Sequence, residues 1–227
     1  EELLRIGDRD RAIKIYRTMK MEEGKTLSQA TEEICDGLGI EASVLPMTDD
    51  NVTTRVFTKD GEMSFHEFWV ERGGEEEVVD VRFLGSERAE PALGVIDTLK
   101  KSDDILIGPS NPITSVGPIL SIRKIREFLE RNREKVLAIS PIIGEEAVSG
   151  PAGVLMKGLG YKVSPVSVAR ILRDVIGSFV IHNEDASLTS EIEELDLDVF
   201  CRDIMMPDRE SRSRLSREIL DILSYQK

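Results

Sequence analysis

Cysteine and histidine are nearly missing from this chain of 227 residues. Cys35 and Cys201 are too few for a disulfide framework, and no Cys-x-x-Cys spacing suggests a zinc knuckle or a redox pair. His66 and His182 stand far apart without ligand-spaced partners and read first as surface or packing residues. A metal would therefore be held by carboxylates, which suits Mg2+ or Mn2+. No stretch approaches the roughly 20 consecutive apolar residues that span a bilayer, and the start shows no basic region followed by an apolar run. The expectation is a cytoplasmic protein with no membrane partner. Basic excess is lacking too: 30 Lys and Arg against 43 Asp and Glu leave a net charge of −13. That balance speaks against nucleic-acid binding, which rests on cations neutralising phosphates and releasing counterions. Neither Gly-x-Gly-x-x-Gly nor Gly-x-x-x-x-Gly-Lys-Ser/Thr occurs, so neither a dehydrogenase-type dinucleotide site nor a P-loop is supported.

What is present is an ordinary globular balance, 40% apolar and 32% charged, enough for a core in one domain spanning 1–227. Leu3, Leu4 and Ile6 read as the end of an element already under way, so a preceding segment is expected. Ala12, Ile13, Tyr16 and Met19 share one face of a helix starting at Asp8, with Gly24 as its stop. Thr26 and Gln29 have capping-box spacing ahead of a second helix. Val52 to Thr58, a Lys59-Asp60-Gly61 turn and Glu62 to Val70 alternate as a β-hairpin does, and Val78 to Phe83 adds a strand. Residues 43–90 are thus expected as a β-rich insertion or subdomain. After Pro91, short apolar strands (Asp104 to Ile107, Val136 to Ser140, Phe179 to Ile181, Leu197 to Phe200) alternate with helices, the last over Asp208 to Leu223. This predicts an α/β fold with a mostly parallel sheet flanked by helices. Such sheets bind ligands beyond the carboxyl ends of their strands.

Two loops leave buried strands at that edge. One runs Gly108-Pro109-Ser110-Asn111-Pro112-Ile113-Thr114-Ser115 and on to Gly117-Pro118; the other runs from Ser140 to Gly150-Pro151. Each ends in Gly-Pro ahead of an expected helix, where proline fits the first helical position and glycine lets a ligand approach the backbone. Exposed amides there attract phosphate, and Ser110, Asn111, Thr114 and Ser115 add short polar side chains. Either loop alone reads equally as a Pro-rich turn; two on adjacent crossovers favour a ligand site. In Gly7-Asp8-Arg9-Asp10, helix capping accounts for the aspartates but not for Arg9, whose guanidinium can stack on a ring or clamp a phosphate. Asp49 and Asp50 make a good turn first, and a place for a hydroxyl or Mg2+ second.

Taken together, GDRDRA with IYRT (7–18), TLSQAT (26–31), LPMTDDNVTTRV (45–56), FHEFWV (65–70), IGPSNPITSVGPILSI (107–122) and SPIIGEEAVSGPAGVLM (140–156) resemble the 2-phospho-L-lactate transferase family of deazaflavin coenzyme (factor 420) biosynthesis. A sister family of nucleotide-sugar-binding regulators carries Gly-Pro-Gly-Ser-Leu-Tyr-Thr in the first loop, so Asn111-Pro112 argues for the transferase; a non-catalytic regulator of the same fold is the alternative. The resemblance implies a Rossmann-like enzyme that takes lactyl-2-diphospho-5'-guanosine as donor and a deazariboflavin precursor as acceptor, releases GMP and uses Mg2+. It places the guanosine diphosphate part on the loops at 108–115 and 140–151. It sets Arg9, with Asp8 and Asp10, toward the deazaflavin, and leaves Asp49 and Asp50 as catalytic candidates. The family's first strand, Gly-Gly-Thr-Gly phosphate loop and acidic metal-binding segment are missing from this chain. Glu145 stands where the family commonly has Gly, and Cys201-Arg202-Asp203-Ile204-Met205 replaces Thr-Asp-Thr-Leu-Met. The hairpin region offers a surface for a homodimer.

Overall fold

The computed structural model describes residues 7–225, so the reading of Leu3, Leu4 and Ile6 falls outside the described residues. Two helices come first, α1 (Asp8–Glu22) and α2 (Leu27–Leu38). The Thr26 hydroxyl accepts from the Gln29 N–H (3.2 Å) and the Gln29 side chain from the Thr26 N–H (2.9 Å), the reciprocal cap expected at this spacing. No residue of α1 is buried; it packs against α2, whose Ala30 is fully enclosed.

Strands β1 (Thr53–Thr58), β2 (Gly61–Ser64) and β3 (Val78–Leu84) form an antiparallel sheet in the order β2-β1-β3. The strand expected over Glu62 to Val70 ends early. Ser64 Oγ accepts from the Glu67 N–H (3.0 Å), and the chain coils into a wide helical turn, Glu67–Glu71, that carries Phe68 wholly into the core. Val56, Met63, Phe68 and Val78 belong to the same apolar core as the parallel sheet, so segment 43–90 is packed onto the rest of the chain. The approach is close: a Cβ on Gly117 would meet the Phe83 ring at 2.8 Å.

After α3 (Val95–Lys101) the parallel sheet begins. Its strands are β4 (Ile105–Ile107), β5 (Val136–Ile139), β8 (Ser178–His182) and β9 (Asp198–Arg202), in the order β4-β5-β8-β9. Helices α4 (Gly117–Ser121) and α5 (Arg123–Arg131) cross from β4 to β5. A small hairpin not expected from the sequence, β6 (Ile142–Ile143) with β7 (Glu146–Ala147), then precedes α6 (Ala152–Gly158) and α7 (Pro165–Leu172). Helix α8 (Thr189–Glu193) joins β8 to β9, and α9 (Arg209–Tyr225) closes the described chain. Strand β5 is buried on both faces. Val136 and Ala138 enter the larger core, whereas Leu137 and Ile139 meet Leu215, Ile219 and Ile222 of α9. Val136, Leu137 and Ile139 each contribute about 1.5–3 kcal/mol relative to exposure, and Ala138 less, which makes β5 the anchor of the edge where the site lies.

Candidate functional site

Beyond the carboxyl ends of the parallel strands lies a cleft of about 540 Å³. Loops following β4, β5 and β9 wall it, and Phe65 reaches in from the segment after β2. Among the described residues no charged side chain lines it.

The first wall carries Pro109, Ser110, Asn111, Thr114 and Ser115. Its helical coil starts earlier than the Gly117-Pro118 ending suggests. Asn111 Oδ1 accepts from the N–H groups of Ile113 (2.9 Å) and Thr114 (3.2 Å), making Asn111 the cap and buried Pro112 the first residue of a wide turn, Pro112–Val116, that runs into α4. The Asn-Pro pair is the signal for this start, since proline there sacrifices no hydrogen bond. Asn111 Nδ2 is left buried with no partner among the described residues. The hydroxyls of Ser110, Thr114 and Ser115 have no protein partner among the described residues either, so each can bond a ligand. Pro112 is buried and lines a separate groove beside Phe83, and Gly108 lines an apolar groove along β4, so neither forms the cleft wall.

The second wall carries Ser140, Gly150 and Pro151. Ser140 is fully buried, and its hydroxyl donates to Ile142 O (2.8 Å) while accepting from the Ile142 N–H (3.1 Å). Both functions of the hydroxyl are committed to shaping the turn after β5. Gly150 has φ +71°, a left-handed turn that brings Pro151 to the start of α6. That helix has seven residues, so the site rests on loop groups more than on a helix end. Asp185, buried beneath this wall, accepts the Gly144 N–H on both carboxylate oxygens (2.9 and 3.1 Å) and ties the β6-β7 turn to the chain after β8.

The third wall, Ile204 to Pro207, was not anticipated. It is held from three sides by Asp203. Asp203 Oδ1 accepts from the Met205 N–H (3.0 Å), Arg214 donates to Asp203 Oδ2 and O (2.9 Å each), and His182 Nε2 lies 3.4 Å from Asp203 Oδ1. The Met205 N–H, then Arg214 and His182, hold the Asp203 carboxyl below its ordinary value of 3.8 against the opposing effect of burial. His182 Nδ1 accepts from the Glu184 N–H (3.2 Å), so both ring nitrogens face partners, in keeping with a packing role. The missed signal is a pair of methionines just past the last strand, a pattern with no distinctive spacing.

The remaining sequence candidates lie away from the cleft. Asp8, Arg9 and Asp10 are exposed on the first turn of α1 and line none of its walls. Asp49 accepts from the Ser28 N–H (2.7 Å) and hydroxyl (2.9 Å), and Asp50 from the Glu90 N–H (2.8 Å), so these carboxylates pin a turn to α2 and to the segment after β3. The Mg2+ expected from the resemblance finds no fit here. Among the described residues no group of three or more His, Cys, Asp or Glu could hold a metal, and no carboxylate lines the cleft to share one with a ligand phosphate.

A parallel α/β sheet with a polar, three-walled cleft beyond its carboxyl edge defines an α/β fold with a cleft at the edge where such sheets bind ligands. A family model described as 2-phospho-L-lactate transferase CofD matches residues 1–212. The 2-phospho-L-lactate transferase of Methanopyrus kandleri is 48% identical over 98% of this chain and 71% of its own length. That of Methanocaldococcus jannaschii is 42% identical over 97% and 71%. A crystal structure of a UPF0052 family member from Bacillus halodurans superposes with a TM-score of 0.67 at 15% identity, covering 91% of this chain and 70% of that one, a likeness of fold. The chain belongs to the 2-phospho-L-lactate transferase family. Among the described residues no helix is long and apolar enough to cross a membrane.

Proposed function

We propose that the cleft binds a guanylated phospholactate, lactyl-2-diphospho-5'-guanosine, and passes its phospholactyl group to the terminal ribityl hydroxyl of a deazariboflavin. The hydroxyl oxygen forms a bond to the phosphorus bearing lactate, the bond from that phosphorus to the bridging oxygen breaks, and GMP departs with the bridging oxygen. The product is a phosphodiester. The hydroxyl proton leaves as the new bond forms, passing to water or to the departing phosphate. The part left to this chain is alignment of donor and acceptor, the main requirement of phosphoryl transfer. The observation that carries this reading is the free hydroxyls of Ser110, Thr114 and Ser115 gathered in a cleft of nucleotide size, about 540 Å³.

The test is mass spectrometry after incubation with guanylated phospholactate and deazariboflavin. A phosphodiester of the two, with one GMP per product, is expected. GDP binding without any such product would instead make the protein a non-catalytic nucleotide-binding regulator.

A further inference from the structure

His182 ends β8 with its side chain only 12% exposed, and its two ring nitrogens bear on different walls of the cleft. Nδ1 accepts from the Glu184 N–H (3.2 Å) and so caps the short turn Asn183–Leu188. That turn carries Asp185, whose carboxylate holds the Gly144 N–H and with it the β6-β7 hairpin, which leads into Val148, Ser149 and Gly150 of the second wall. Nε2 lies 3.4 Å from Asp203 Oδ1, the atom that also accepts the Met205 N–H of the third wall.

The two contacts ask for different things of the ring. An acceptor at Nδ1 carries no proton, so the ring that makes both contacts is neutral, with its hydrogen on Nε2. Protonation adds a hydrogen at Nδ1, which then faces the Glu184 N–H donor to donor and undoes the cap. At Nε2 the same charge strengthens the hold on Asp203. Acid therefore releases one wall and tightens the other. The charged groups on the elements packed around the ring are Asp203, Arg202 opposite His182 in the β8-β9 register, Glu184 and Asp185 on the turn, and Arg214 and Glu218 on α9; β6 brings only Ile142 and Ile143. Carboxylates and guanidinium groups ordinarily hold their charge between about pH 5 and 8, whereas an imidazole ordinarily changes its own there.

We propose that His182 is a positioning residue that couples the second and third walls, and that its neutral ring alone holds both. The inference takes the cleft of the proposed function as the site.

Hydrogen exchange of single amides by NMR, corrected for its intrinsic pH dependence and run on the full chain without ligand, tests it. From the upper to the lower end of that pH range, protection at Glu184 and Gly144 should fall about fivefold, the worth of a lost cap, while protection at Met205 holds or rises. His182→Asn, whose side-chain oxygen replaces Nδ1, should keep protection at Glu184 and Gly144 and lose the pH step. His182→Gln, whose amide nitrogen replaces Nε2, should show the low protection at every pH. The parent's kcat for phosphodiester formation, divided by that of His182→Asn so that substrate titration cancels, should fall over the same span because transfer depends on alignment. Protection that does not change with pH in the parent overturns the inference. So does a step that persists in His182→Asn, which would assign it to Asp185, and so does an equal loss at Met205, which would be general loosening. A kcat ratio that stays flat overturns the positioning role. If the parent forms no phosphodiester the transfer reading falls, and the exchange data still decide this inference.

Discussion

Asn111→Asp and Asn111→Ala separate two roles that one amide combines. Its oxygen caps the turn at Pro112, and its nitrogen is a buried donor beside the cleft without a protein partner among the described residues. Alanine removes both and should cost about 1 kcal/mol of stability through the lost cap, together with GDP affinity. Aspartate keeps both acceptor bonds but puts an unpaired carboxylate oxygen where the buried amide nitrogen was, so stability measured by urea unfolding should fall by about 1–3 kcal/mol, and GDP affinity falls because the donor is gone and a negative charge faces the phosphates. An aspartate variant that binds GDP as tightly as the parent would leave Asn111 with the cap alone. Asn111 was legible in the sequence as a polar loop residue; its cap geometry was legible too, in the Asn-Pro pair, once that pair is read as a helix start. Ser140 shows the opposite case. Its residue type invites a ligand role, but burial and a local hydrogen-bond pair decide its job, and neither is visible in a string of letters.

At the level of elements, periodicity located the strands and helices of the parallel sheet well, because each is a short apolar run set off by polar turns. It misled at Glu62 to Val70, where alternation continues past Ser64 only as far as Phe65. Ser64 and Glu67 have the spacing of a helix start, and Phe65 belongs to both patterns, two residues after Met63 and three before Phe68, so the local cap decided the outcome. The β6-β7 hairpin was missed because two-residue strands carry no period at all. Its position depends on Asp185, a residue with no motif around it. Asp185→Ala should lower the unfolding free energy by about 1–3 kcal/mol, as for hydrogen bonds to a charged acceptor, and should speed amide exchange at Gly144. Asp185→Asn, which retains one acceptor, should fall between. A Gly144 amide that exchanges at the parent rate in the alanine variant would show that the hairpin holds its shape without the carboxylate.

For the molecule as a whole, alternation of strand and helix made the parallel sheet legible, but not its order, which follows from how the crossovers pack. That order brings loops from opposite ends of the sequence region 109–207 into one cleft, so the third wall was beyond reach of any local pattern. Net charge has a consequence at the same scale. A chain of −13 surrounds a cleft lined by no charged side chain among the described residues, so an anionic nucleotide approaches against the mean field and meets neutral donors. Usual phosphate sites built on Lys and Arg weaken as salt screens the attraction; here the screened interaction is repulsive. Raising ionic strength from about 0.01 M to about 0.1 M shortens the screening length from about 30 Å to about 10 Å, which removes most repulsion from distant carboxylates. In chelator-containing buffer, the association rate for GDP measured by stopped flow should therefore rise over that range, with the dissociation rate little changed. A fall in association rate with salt would mean that a cation outside the cleft lining, with Arg9 the first to replace by Gln, steers the nucleotide in.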